Sequence, residues 1–233
     1  MRVLHWATPI ALCSFIICGI AMTQPFPPVD KSANNLMVVL RESIGGAPKE
    51  DEALVPMGKY VATLPDGRRI ESEMAAFRFI GDMHIRFVFD GPNAMQVASP
   101  EDLIRLDLTP EQALALAMTN IKRVYGRPIA VPWTAGLMQV KGRSPDLDSS
   151  YFLDREFWRA QLKDHPEGLV VSVAKRGGLL FAPLSDTRTV DGLRRGVGYL
   201  FTSSENLRVS SALYLFKDDR WTIFQAPLPA REH

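Results

Sequence analysis

An α+β fold, built mainly from antiparallel strand pairs and hairpins packed with three or four helices, is what the sequence predicts. Three observations predict it. Short alternating or apolar runs bounded by Gly, Pro, Asn and Asp come in neighbouring pairs. Helix-start signals occur at a few points between them. No steady strand–helix–strand spacing joins them, so parallel crossovers are not expected.

Residues 35–43 form a short apolar run, helix or strand, since periodicity cannot arbitrate over so few residues. The polar Gly/Pro stretch 45–52 is a loop and the first breakpoint. Lys59–Thr63 and 68–75 flank Asp66-Gly67, the turn of a hairpin. Met83–Phe89 alternates. Met83, Ile85, Phe87 and Phe89 take one face, His84, Arg86 and Val88 the outer one, as in a half-buried strand. Asp90-Gly91-Pro92-Asn93 turns the chain, and 94–98 returns as a partner.

Ser99-Pro100-Glu101-Asp102 starts a helix with a cap, a proline in the first turn and acids behind it. Thr109-Pro110-Glu111-Gln112 repeats the pattern and adds a capping box. This second helix runs to about Tyr125, with Leu114, Ala117, Met118, Ile121 and Tyr125 as its apolar stripe and Gly126 at its end. Residues 136–140 and 149–153 read as strands. Asp154 caps a helix to about Asp164. Residues 169–174 and 179–184 are apolar strands joined by Lys175-Arg176-Gly177-Gly178. Residues 189–203 form a helix, and a closing hairpin pairs 212–216 with 221–225.

The chain of 233 residues is 46% hydrophobic and 23% charged, an ordinary globular balance. Its formal net charge is +1, and Arg2 is the only charge among residues 1–21. The rest is therefore neutral, with no global pull toward nucleic acid. Residues 1–21 read as a signal segment: Met1-Arg2, then an uncharged apolar run over residues 10–20, then Gly19-Ile20-Ala21 as a cleavage site. An uncleaved anchor over residues 3–22 is the competing reading, the one case in which a membrane is a partner. A Pro-rich linker and the short apolar run fill residues 22–52, and 53–233 is expected to be one domain. Cys13 and Cys18 both lie in the signal segment, so a cleaved chain has no thiol chemistry.

Several segments in order resemble the YtpQ-like family of uncharacterised bacterial proteins. They are residues 35–41, 81–95 (GDMHIRFVFDGPNAM), 99–103 with 108–123, 170–184 (VVSVAKRGGLLFAPL) and 213–221. The resemblance implies an α+β domain and carries no site residues. The export segment and the loop at 133–148 depart from the family pattern.

Chemical motifs are sparse. His84, His165 and His233 lack metal-ligand spacing, and HExxH, P-loop and nucleophile-elbow patterns are absent from the sequence. Asp146, Asp148, Asp154 and Glu156 crowd one stretch but lack the EF-hand pattern. They read as a solvated acidic loop and a cap. Trp133, Trp158 and Trp221 read as core or core-edge aromatics. Asp90, Asn93 and Arg86 are the candidate binding residues, gathered at the end of one apolar strand. No catalytic residue, metal or cofactor is expected. The reading is a non-catalytic binding domain of the cell envelope, periplasmic or secreted, with a protein or envelope component as partner. A hydrolase using carboxylate or Ser/His chemistry, with Asp90, His84 and Arg86 converging, is the alternative.

Overall fold

A computed structural model describes residues 28–43, 54–64 and 66–229. Residues 1–21, expected to be a signal segment, and the loop expected at 45–52 lie outside the described residues. The α+β expectation holds. Every strand pairing in the sheets is antiparallel.

The first sheet contains β1 (Leu36–Glu42), β2 (Val55–Pro56), β5 (Ala76–Arg78), β6 (Met83–Phe89) and β7 (Gln96–Val97), in the order β1-β6-β5-β2. β7 pairs with the end of β6, on the side that β5 leaves open. The 35–43 run is thus a strand, and its five leading residues are buried. Both faces of β6 are covered, which corrects the half-buried expectation: His84 is only 4% exposed. The hairpin of β3 (Lys59–Thr63) and β4 (Arg69–Glu73) stands as its own two-stranded sheet, in register from Lys59–Glu73 to Thr63–Arg69.

The second sheet takes β8 (Ile129–Pro132), β9 (Met138–Lys141), β10 (Leu169–Val173), β11 (Leu179–Pro183), β12 (Leu213–Lys217) and β13 (Arg220–Gln225) in the order β13-β12-β10-β11-β9-β8. β10 and β11 are buried on both faces, which explains their continuous apolar runs. Val170, Ala174, Leu180 and Ala182 pack under helix α4 (Thr187–Thr202), against Val190, Leu193, Val197 and Phe201. Leu169, Val171, Val173, Leu179 and Phe181 belong to the main core shared with the first sheet.

Helices α1 (Pro100–Arg105) and α2 (Pro110–Tyr125) start where their caps predict, each with a complete capping box. α2 packs along β1, and its buried Asn120 donates to the Ala33 and Leu36 carbonyls at 2.8 and 2.9 Å. Asp154 caps α3 (Arg155–Leu162), which stops before Asp164. The strand expected at 149–153 is instead part of a 3-10 helix, Pro145–Leu153. Its Tyr151 and Phe152 carbonyls accept from the Trp158 indole N–H at 3.0 and 3.1 Å, which takes them out of any sheet ladder. Phe152 from this helix stacks on Trp221 at 3.9 Å and meets Phe79 and Tyr214 edge-on at 6.2 and 5.2 Å. It thereby joins the two sheets. Trp158 and Trp221 are buried, whereas Trp133 is 41% exposed and belongs to neither core. No helix among the described residues is long and apolar enough to cross a membrane.

Candidate functional site

Strand register concentrates basic side chains on one face of the first sheet. Arg41 of β1 and Arg78 of β5 both stand opposite His84 of β6. Alternation puts Arg86 on the same face, two residues along. Directly opposed side chains have Cβ atoms roughly 5 Å apart, a distance at which like charges destabilise a sheet.

A fifth base arrives from the second sheet. Arg176 lies in the turn between β10 and β11, and that turn is pinned on several sides. The Arg176 N–H donates to the Leu207 carbonyl at 3.1 Å, and the Arg176 carbonyl accepts from the Ser149 N–H at 2.8 Å. Gln139 donates to the Gly177 carbonyl at 3.2 Å. A Cβ on Gly177 would lie 3.1 Å from the Pro145 carbonyl oxygen, so glycine permits the close approach. The 3-10 helix is tied in turn to β1, where the Ser150 hydroxyl donates to the Val38 carbonyl at 2.8 Å. The basic groups are therefore held by backbone from four places: β1, β5, β6 and the β10–β11 turn.

Their electrostatics show the crowding. The Arg41 pKa falls to about 10, through burial first and then the charges of Arg176 and Arg86, with Asp146 opposing. The His84 pKa is pushed down to about 4 by burial and then by Arg86, with the Glu42 backbone opposing and Arg41 adding to the fall. Arg86 Nη2 lies 3.2 Å from His84 Nε2. A guanidinium only donates, so Nε2 is the acceptor and the proton is assigned to Nδ1. His84 Nδ1 and Arg176 Nε are buried without a hydrogen-bond partner among the described residues. Among those residues neither Arg41 nor Arg176 has an ion pair. Glu42, next to Arg41, is engaged by Arg208 at 3.6 Å. The acid that offsets the Arg41 charge is Asp146, which is itself exposed.

Of the three residues expected to bind, only Arg86 belongs here. Asp90 is a staple: its carboxylate accepts from the Tyr125 hydroxyl, and its carbonyl accepts from the Asn35 side chain. It ties the end of β6 to the end of α2 and the start of β1. Asn93 is exposed in the following turn. The expected convergence of Asp90 with His84 and Arg86 does not occur, because four residues of extended strand separate Asp90 from Arg86 by roughly 13 Å. His84, expected on an outer face, is inside. Arg41 and Arg176 were not singled out from the sequence. Pairing the 35–43 run with Met83–Phe89 would have found Arg41, but no local signal marks Arg176.

The acidic stretch is solvated only at Asp146 and Glu156, and Asp154 is the expected cap; Asp148, expected in a solvated loop, is inside. Asp148 is buried and accepts from the Gly142 N–H at 2.7 Å, with burial raising its pKa. Asp154 caps α3 and faces Lys122 at 3.5 Å. Among the described residues no three His, Cys, Asp or Glu side chains could hold a metal ion.

A groove of about 420 Å3 lies elsewhere, lined by Leu114, Met118, Leu153 and Trp221 with Lys122 and Arg155 among its polar groups. Lys122 is engaged by Asp154 and Glu156, and Arg155 by Asp219. Its cations thus have carboxylate partners, whereas Arg41 donates to the Leu40 carbonyl at 2.7 Å and Arg176 to the Asn206 carbonyl at 3.4 Å. No protein-family model matches this chain, and no match is found among curated proteins or solved structures.

Proposed function

We propose that this protein is a non-catalytic binding domain of the cell envelope that holds an anionic group at Arg41, His84, Arg86 and Arg176. One observation carries the reading: Arg41 and Arg176, half-buried beside each other, have no ion pair among the described residues. Burying such charge costs stability, a cost that the counter-charge of a bound anion offsets. The envelope part of the proposal rests on residues 1–21, and N-terminal sequencing of the processed protein should find a start near Met22. Kinship with the YtpQ-like family rests on the ordered run of similar segments. A hydrolase has less support, since the acid it needs, Asp90, is held by Tyr125 and Asn35.

Thermal unfolding in the presence of small anions tests the binding reading. A ligand that binds only the native state stabilises it by about 2.7 kcal/mol at a hundred times its Kd. The melting temperature of the native chain should keep rising with the logarithm of anion concentration once this exceeds the Kd. That of the double variant Arg41→Gln, Arg176→Gln should stay flat. Equal responses from both proteins would defeat the proposal.

A further inference from the structure

We infer that the anion is phosphate, free or as a monoester, an inference that rests on the anion-site reading above. The donors come from three separate stretches of backbone: Arg41 from β1, His84 and Arg86 from β6, and Arg176 from the β10–β11 turn. A carboxylate offers two oxygens in one plane, both of which a single guanidinium fork can engage, whereas a phosphate offers three or more oxygens that do not share a plane. Donors supplied by three elements, each with further N–H groups beyond those given to the Leu40 and Asn206 carbonyls, suit oxygens arranged as a tetrahedron.

Charge points the same way. Arg41 and Arg176 bring two positive charges without an ion pair among the described residues, and Asp146, the acid that faces Arg41, is itself exposed. A phosphomonoester carries roughly −1.5 to −2 at neutral pH, enough to match two guanidinium groups, whereas a lone carboxylate carries half that. His84 adds a donor of a different kind. With Nε2 accepting from Arg86, the buried Nδ1–H is a neutral donor that makes no hydrogen bond of normal length among the described residues, with the Glu42 backbone as the group that favours the ring's proton. It can meet a phosphate oxygen without adding charge to an already crowded face.

Isothermal titration calorimetry of the full chain at low ionic strength, with inorganic phosphate and with succinate, tests this. Phosphate should bind with one site per chain and at least tenfold more tightly than succinate. Arg41→Gln and Arg176→Gln should each weaken phosphate at least tenfold. Circular dichroism should show both variants folded, and Arg176→Lys should recover part of the loss. Succinate binding as tightly as phosphate would overturn the phosphate assignment and leave the anion site standing. Heat from neither would overturn both. Flotation with phosphatidylcholine vesicles containing phosphatidic acid separates the sources. Binding that free phosphate competes away assigns a lipid headgroup, and phosphate binding without vesicle binding assigns a soluble ester.

Discussion

His84 shows what burial beside arginines does to a titratable group. Its folded pKa of about 4 lies below the ordinary 6.5. The unfolded chain therefore takes up a proton first as pH falls. Stability is complete above the unfolded value, is lost as pH drops from about 6.5 to about 4, and loses nothing further below that. The loss reaches about 3 kcal/mol at most. Urea unfolding of the native chain and of His84→Gln across that window should show the difference, with the variant's curve flatter by this amount. Parallel curves would mean His84 titrates alike in both states. A second residue-scale outcome concerns Tyr214. Its buried hydroxyl bonds Asp82 at 3.1 Å and Ser210 at 2.7 Å, while Ser211 donates twice to the same carboxylate. Tyr214→Phe should cost about 1.5–3 kcal/mol in a denaturant melt. At this scale the sequence was half legible. Alternation placed His84 and Arg86 together, but exposure depends on segments distant in the chain, so an outer face was expected where an inner one exists.

Elements whose signals are local were the most legible. Pro110–Tyr125 matches its expected bounds because the cap, the capping box and the terminal Gly126 all lie within or beside the helix. Thr109→Ala should lower stability by about 0.5–2 kcal/mol, measured by chemical denaturation. α4 begins two residues earlier than expected because Asp186, which accepts from the Thr189 N–H at 3.1 Å, is the true cap. The 3-10 helix at Pro145–Leu153 was misread because β-favouring Tyr151, Phe152 and Leu153 follow two serines. Those serines do tertiary work: Ser149 binds the Arg176 turn and Ser150 binds β1. β8, between Pro128 and Pro132, escaped because prolines at both flanks argue against a strand, and it survives at the sheet edge.

Across the whole molecule, the aromatic cluster around Phe152 makes one core of two sheets. Phe152→Ala should cost about 3–5 kcal/mol. Near-ultraviolet and far-ultraviolet circular dichroism should still report one coincident transition in the native chain, since the cluster couples both sheets. The fold class was legible because paired runs and caps are local. The site was not, because it is assembled from β1, β6 and a turn more than 80 residues beyond β6. The measurement that tests the central claim most directly is the unfolding free energy of Arg41→Gln at low ionic strength, without any binding anion. If Arg41 is held among like charges to await a ligand, the variant should be as stable as the native chain or more stable. It should also lose the stabilisation that added phosphate confers. A variant destabilised by about 2 kcal/mol or more, with its phosphate response intact, would make Arg41 a structural residue and contradict the account.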